Sequence, residues 1–240
     1  MSENRMRLNK YLSAHGVCSR READRLIGNG SVTVNGQKAA VGQCVSLEDR
    51  VEVCGKKVED SVRELFYAVN KPRGVVVTTD RSWGDLVLED LLPKTDRVFA
   101  VGRLDKESEG LILMTNNGDI SNRIQRARLC HEKEYEVTVD HPLTRIFLKR
   151  MSEGVYLEEL DRTTRPCHVR KTDERRFNII LTEGMNRQIR RMCGQLGYEV
   201  VSLRRIRVMN ILLGDLPPGA YRPLTESEIL GLKAQLKAGG

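Results

Sequence analysis

Gly102-Arg103-Leu104-Asp105-Lys106-Glu107-Ser108-Glu109-Gly110-Leu111 is the stretch of this chain best equipped for chemistry. Two glycines bracket a polar loop that runs into an apolar segment, and loops carried by strands often present reactive side chains. Arg103 and Lys106 flank Asp105 with positive charge, which favours its anionic form. A carboxylate held this way can act as a nucleophile or a general base. Paired with Glu107 or Glu109, it could instead form the two-carboxylate set of a glycoside hydrolase. Spacing alone does not separate these readings from an ordinary charged turn.

Two other segments carry candidate groups. From Lys133 to Val139 the chain alternates strictly, so Lys133, Tyr135, Val137 and Val139 share one strand face. Tyr135 then serves as core packing or as an aromatic pocket wall. A partly buried Lys133 calls for a carboxylate partner and acts as support. After Gly184, Ile189, Met192, Cys193 and Leu196 form the apolar stripe of a helix, with Arg187, Arg190, Arg191 and Gly194 opposite. Arg204, Arg205 and Arg207 add a basic run suited to phosphate contacts.

The elements that must position these groups fall into two domains, residues 5–60 and 65–237. In the first, Leu8, Tyr11 and Leu12 lie at helical spacing, and Gly16 is a helix end. Ser19 and Glu22 form a capping box for a second helix carrying Ala23, Leu26 and Ile27. Val32-Thr33-Val34-Asn35-Gly36 then predicts a strand and a type I′ hairpin, and Val51–Val53 another strand. The charge-mixed stretch 56–64 reads as a linker. In the second domain, strands are predicted at 66–69, 75–79, 111–115, 135–139, 177–181 and 198–201, and helices at 85–92, 119–127, 144–151, 186–196 and 226–236. Thr225 and Glu228 supply another capping box. The fold class is α/β or α+β: a helix pair with a hairpin, followed by a mixed-sheet domain.

The 240 residues hold 40% hydrophobic side chains, enough for packed cores. No run approaches the ~20 apolar residues of a membrane helix, and no apolar stretch follows Met1 as in a secretory signal. A cytoplasmic protein is expected. Lys+Arg outnumber Asp+Glu by 40 to 33, and 28 of the 40 are Arg. Guanidinium forks match phosphate and stack on bases, so RNA is a candidate partner, although a soluble basic surface explains the composition equally well. Aromatics at 5% argue against base-stacking platforms. Cys18, Cys44, Cys54, Cys130, Cys167 and Cys193 show no metal-ligand spacing, and buried reduced thiols are the simple account.

Arg7-Leu8-Asn9-Lys10-Tyr11-Leu12, Gly16-Val17-Cys18-Ser19-Arg20-Arg21-Glu22-Ala23-Asp24 and Gly30-Ser31-Val32-Thr33-Val34-Asn35-Gly36 together resemble the S4 RNA-binding domain. The resemblance implies binding of structured RNA through the helix pair, which carries Arg7, Lys10, Arg20 and Arg21. Further on, Asn70-Lys71-Pro72-Arg73-Gly74, the 102–111 loop, Lys133-Glu134-Tyr135 and Glu183-Gly184-Met185-Asn186-Arg187-Gln188-Ile189-Arg190-Arg191-Met192 look like the ordered motifs of bacterial pseudouridine synthases. With the S4-like unit in front, the chain resembles the ribosomal small-subunit pseudouridine synthase A family. His131–Tyr135 and Met192-Cys193 are most similar to its F-type large-subunit branch.

That resemblance implies isomerisation of a uridine to pseudouridine without metal or cofactor. The C1′–N1 bond breaks, the base rotates, and C5 joins C1′. The implied partner is 23S rRNA or its assembly intermediate, with tRNA as a second substrate, and the implied enzyme is monomeric. Asp105 takes the catalytic position, as nucleophile at C1′ or as base at C2′. Arg103 would hold the flipped base out of the helix. Tyr135 would stack on uracil and assist proton transfer at C5. Arg190 would pair with Asp105, with Arg187 as second choice, and Arg191 would contact RNA. A non-catalytic S4-type RNA-binding factor would account for the charge and the first domain but not for the later motifs. A glycoside hydrolase would account for neither the basic surface nor the S4-like unit.

Overall fold

The computed structural model describes residues 5–46, 48–59, 63–78, 86–93, 97–126 and 129–238. The chain divides into two compact units, Met1–Glu64 and Leu65–Gly240.

The first unit contains β1 (Met6–Arg7), α1 (Leu8–Ala14), α2 (Arg20–Gly28), β2 (Val32–Val34), β3 (Gln37–Lys38), β4 (Cys44–Val45), β5 (Val51–Val53) and β6 (Lys56–Lys57). α1 buries Leu8, Tyr11 and Leu12, the residues its spacing places on one face. Ser19 Oγ accepts from the Glu22 amide at 3.2 Å and caps α2. Glu22 turns its carboxylate to Arg25 rather than back to the cap. Asn35 and Gly36 have φ of 52° and 81°, as a type I′ turn requires, and join β2 to β3. Cys54 and Gly55 repeat the device between β5 and β6. Lys56–Lys57 therefore belongs to the sheet β3-β2-β5-β6 and not to a linker. Residues 60–62 of the predicted linker lie outside the described residues.

The second unit contains β7 (Phe66–Lys71), β8 (Phe99–Val101), β9 (Glu109–Thr115), α3 (Gly118–Gln125), β10 (Lys133–Val139), α4 (Arg145–Glu153), β11 (Tyr156–Leu157), β12 (Arg162–Thr163), β13 (His168–Asp173), β14 (Arg176–Leu181), α5 (Gln188–Gln195), β15 (Val200–Val208), β16 (Ile211–Leu212), β17 (Tyr221–Pro223) and α6 (Glu226–Ala238). Nine strands form one mixed sheet in the order β13-β14-β10-β15-β9-β7-β17, with β16 on β15 and β8 on β9. β11 and β12 pair separately. One core packs Phe147 and Met151 of α4 and Ile189, Met192 and Cys193 of α5 on β10, β14 and β15. A second packs Leu232 and Leu236 of α6 on Phe66, Ala68, Leu111 and Leu113. The opposite side of β7 and β9, Tyr67, Val69, Ile112 and Met114, is covered by Val75 and Leu88. β9 is thus buried on both faces, and its apolar run needs no alternation.

Several predicted elements change. The helix expected at 85–92 is a 3₁₀ turn at Leu88–Leu91, and the 75–79 strand is a single bridge from Val76 to Val87. Thr79, Asp85 and Ala127, at the ends of three predicted elements, lie outside the described residues. β15 runs on through Arg204–Arg207, beyond the strand expected at 198–201. Cys44, Cys54 and Cys130 are exposed, so the thiols are not uniformly buried as expected.

The pairing of β9 with β15 is the one parallel contact in this sheet among the described residues, and it joins its two halves. It requires Gly110, which has φ of +105° and sits opposite Arg205. A Cβ there would lie 2.3 Å from the Arg205 carbonyl oxygen and 2.6 Å from its nitrogen. Both are backbone atoms within a sheet, so neither can move aside alone. Gly110→Ala is expected to cost about 3 kcal/mol or more. A urea midpoint indistinguishable from wild type would show that the two halves separate freely.

Candidate active site

The Asp105 loop connects β8 to β9 and is fastened from two sides. Its own turn is closed by the Ser108 amide, which donates to the Asp105 carbonyl at 3.0 Å. At the end of β7, Lys71 is fully buried. Its Nζ donates to the carbonyls of Pro72 at 2.9 Å and Lys106 at 3.3 Å. The Gly74 amide donates to the same Lys106 carbonyl at 2.8 Å. Burial lowers the Lys71 pKa to about 8, against an upward pull from Glu107, Asp105 and Glu109. The segment Asn70–Gly74 therefore acts as the anchor of the loop. From the other side, Arg190 Nη2 donates to the Glu107 carbonyl at 3.4 Å and Nη1 to the Val200 carbonyl at 3.0 Å. Burial and the adjacent Arg187 lower the Arg190 pKa, while Asp105 raises it.

The ion pair with Asp105 that the resemblance assigned to Arg190 is made by Arg187. Its Nη1 lies 3.9 Å from Asp105 Oδ2. α5 begins at Gln188, and Arg187 precedes it in the left-handed conformation, φ 51° and ψ 32°. That conformation costs a non-glycine residue about 1 kcal/mol and takes its side chain off the helical wheel. The turn before α5 is held by a buried pair. Gln188 donates to Glu183 Oε1 at 3.0 Å and accepts from the Met185 amide at 3.1 Å. Glu183 also accepts from the Arg165 amide at 2.8 Å. Glu183 and Gln188 lie within a quoted motif, but nothing in their spacing marks them as supports.

Asp105, Arg187, Arg103, Tyr135, Lys133 and Arg205 all line one cavity of about 460 Å³, a size suited to a nucleobase with its ribose. Tyr135 is 9% exposed and stands on β10 as the alternation requires. Lys133 donates to the His131 carbonyl at 3.1 Å, so the expected carboxylate partner is replaced by a backbone oxygen. Burial, reinforced by the Arg205 cation, lowers its pKa to about 8. Arg205 is buried and donates to the Leu111 carbonyl at 2.6 Å. A bulge at the facing Glu134/Tyr135 step turns Arg207 to the other side, where it meets Glu132 and Glu134 at 3.0 Å each. Arg205 and Arg207 are therefore structural, not the phosphate contacts their run suggested. Buried Ser108 Oγ has no hydrogen-bond partner among the described residues.

The remaining predicted groups are spread out. Arg103 is exposed at the cavity rim and makes no hydrogen bond or ion pair among the described residues. Arg191 is not among the residues lining the Asp105 cavity; it donates to the Asn186 carbonyl at 3.0 Å and pairs with Glu159. In the first unit, Arg7, Arg20 and Arg21 are exposed and Lys10 is half-buried. Arg20 donates to Asn9 Oδ1 at 3.4 Å.

The profile of the RNA pseudouridylate synthase family matches residues 65–195, and that of the S4 domain matches residues 6–51. The chain is 47% identical over 234 residues to the dual-specificity RNA pseudouridine synthase RluF of Escherichia coli K12, covering 97% of this chain and 80% of that protein. It is 38% identical to an uncharacterized RNA pseudouridine synthase of Aquifex aeolicus, over 95% of this chain and 93% of that one. Against the ribosomal small subunit pseudouridine synthase A of Yersinia pestis the identity is 34%, over 95% and 99%. A crystal structure of a pseudouridylate synthase superposes with a TM-score of 0.71 at 28% identity, covering 95% of this chain and 99% of that one.

Proposed function

Because the chain belongs to the RNA pseudouridylate synthase family, carries an S4 domain and isomerises uridine to pseudouridine in RNA, we propose that Asp105 is the group that starts the isomerisation. The observation that carries this reading is its position. Asp105 lies in the 460 Å³ cavity beside Tyr135, with its carboxylate facing Arg187 at 3.9 Å.

Two routes use the same carboxylate. As a nucleophile it bonds to C1′ while the C1′–N1 electron pair leaves with the uracil. As a base it removes the C2′ proton while the same bond breaks, and that proton is later returned. In both, the freed base turns until C5 faces C1′. The C5–C1′ bond forms, with the Asp105–C1′ bond breaking to restore the carboxylate in the first route and C2′ regaining its proton in the second; C5 then loses its proton and N1 gains one. The sum is an isomerisation, with no oxidant or reductant consumed. Arg187, with Nη1 3.9 Å from the carboxylate, sets a positive charge beside it and is placed to orient it when substrate binds. Tyr135 stacks on the uracil and places its phenol near the C5 proton. Arg190 is a positioning residue that acts through the Glu107 carbonyl. A target base must leave its stack to reach this depth, and Arg103, exposed and unpaired, fills the space it vacates. Arg7, Lys10, Arg20 and Arg21 supply phosphate contacts from the S4 domain.

The substrate is 23S rRNA or its assembly intermediate, with tRNA as a second target. The large-subunit motifs and the similarity to a dual-specificity enzyme support this choice. Among the described residues, those lining the cavity all come from the second unit, which supports a monomeric enzyme. Among the described residues no helix is long and apolar enough to cross a membrane, which suits a cytoplasmic enzyme. Carbodiimide mapping of rRNA and tRNA from a deletion strain tests the substrate. At least one pseudouridine in 23S rRNA should vanish and return on complementation; an unchanged 23S map would refute the rRNA assignment.

A further inference from the structure

A second cavity of about 340 Å³ lies against the same helix, lined by Arg187, Arg190, Arg191, Glu158 and Glu159 among others. Arg187 lines both cavities, so the second begins where the Asp105 pocket ends. Its arginines come from α5 and the residue capping it. The carboxylates come from the facing 3₁₀ turn, Glu158–Leu160. Arg191 is 21% exposed and held in place by two bonds to Asn186, whereas its ion-pair partner Glu159 is 72% exposed. The cation is preorganised and the anion opposite it is open to solvent. An exposed carboxylate pairs weakly and is readily exchanged. A phosphodiester offers the same guanidinium two oxygens and a full negative charge.

We propose that this cavity binds a backbone phosphate of the RNA next to the target uridine, and that Glu159 occupies the arginine in its place while RNA is absent. The proposal rests on the reading that the Asp105 pocket takes the uridine, since only then does the adjoining cavity fall along the strand. Glu159 has two effects in this arrangement. It keeps Arg191 oriented toward the cavity, and it weakens every phosphate contact that must displace it. An RNA that brings one phosphate to the right place pays that cost once, with the guanidinium already aimed.

Fluorescence anisotropy with a labelled, uridine-containing RNA stem-loop tests the proposal. A backbone contact needs no particular sequence, so any structured RNA serves as probe. Arg191→Gln is expected to weaken binding several-fold. It should also reduce the slope of log Kd against log salt by about 0.7–1, one phosphate contact. Glu159→Gln is expected to tighten binding about threefold at low salt, and to do nothing when Arg191 is already Gln. Damage to the fold could only weaken binding, so tightening by Glu159→Gln has no structural explanation. An unchanged salt slope in Arg191→Gln, or unchanged or weaker binding by Glu159→Gln, overturns the subsite. Pseudouridine formation lost with Asp105→Asn reads the neighbouring pocket separately, so failure of the subsite leaves that assignment standing.

Discussion

Asp105→Asn should lose about four orders of magnitude in turnover while folding and binding RNA as the wild type does. The amide is nearly isosteric with the carboxylate but can neither bond to C1′ nor take a C2′ proton. The fold does not depend on the charge. The loop is closed by the Asp105 backbone carbonyl, not its side chain, and is anchored by Lys71 and Arg190 on neighbouring carbonyls. The side chain is 31% exposed and, among the described residues, its ion-pair partner is Arg187. Single-turnover rates with enzyme in excess, beside a binding titration on the same RNA, separate chemistry from affinity. More than a few per cent of the wild-type rate would remove Asp105 from the reaction.

Arg187→Lys should slow the same single-turnover step by roughly a hundredfold, because misorientation of a reacting group costs that much. The substitution preserves the charge and asks nothing new of the backbone, since lysine tolerates φ of 51° no worse than arginine. What it removes is the planar donor array that can close on the carboxylate, leaving a point charge on a flexible stem. Arg190→Lys should behave differently. Arg190 donates to the carbonyls of Val200 and Glu107 from two separate nitrogens, and a lysine would have to reach both from a single point on a flexible stem. Its variant should lose stability and show a smaller fall in rate. Near wild-type chemistry in Arg187→Lys, together with collapse in Arg190→Lys, would return the Asp105 partnership to Arg190.

The contrast between these arginines shows where local pattern stops being informative. A helical wheel places both opposite the Ile189, Met192 and Cys193 stripe and cannot rank them. The distinction comes from Arg187 lying one residue outside α5 in a left-handed conformation. That conformation accompanies the Glu183–Gln188 pair that holds the turn, a contact between groups that no periodicity relates. Arg205 fails for a similar reason. A run of three arginines looks like a solvated surface, yet it lies on β15, and the Gly110 approach buries Arg205 against β9.

Much of the protein was nonetheless determined by residues acting within their own neighbourhood. The α1 stripe, the Ser19 cap, the Asn35-Gly36 turn, the Thr225–Glu228 capping box and the alternation of β10 each depend on groups a few positions apart. Backbone geometry relates such groups in the same way wherever they occur, so their types and spacing were enough. Asp105 and Tyr135 are different: spacing left a charged turn and core packing open, and only the family resemblance of their motifs singled them out. Only the tertiary structure decided which cation meets Asp105, that Lys71 anchors its loop, and that Arg191 serves a second cavity. Those outcomes depend on segments brought together from far apart in the chain, 35 positions for Lys71 with Lys106 and 83 for Arg190 with Glu107. A guanidinium or ammonium will take any acceptor within reach, so its partner is settled by which backbone carbonyls and carboxylates the packed sheet delivers to it.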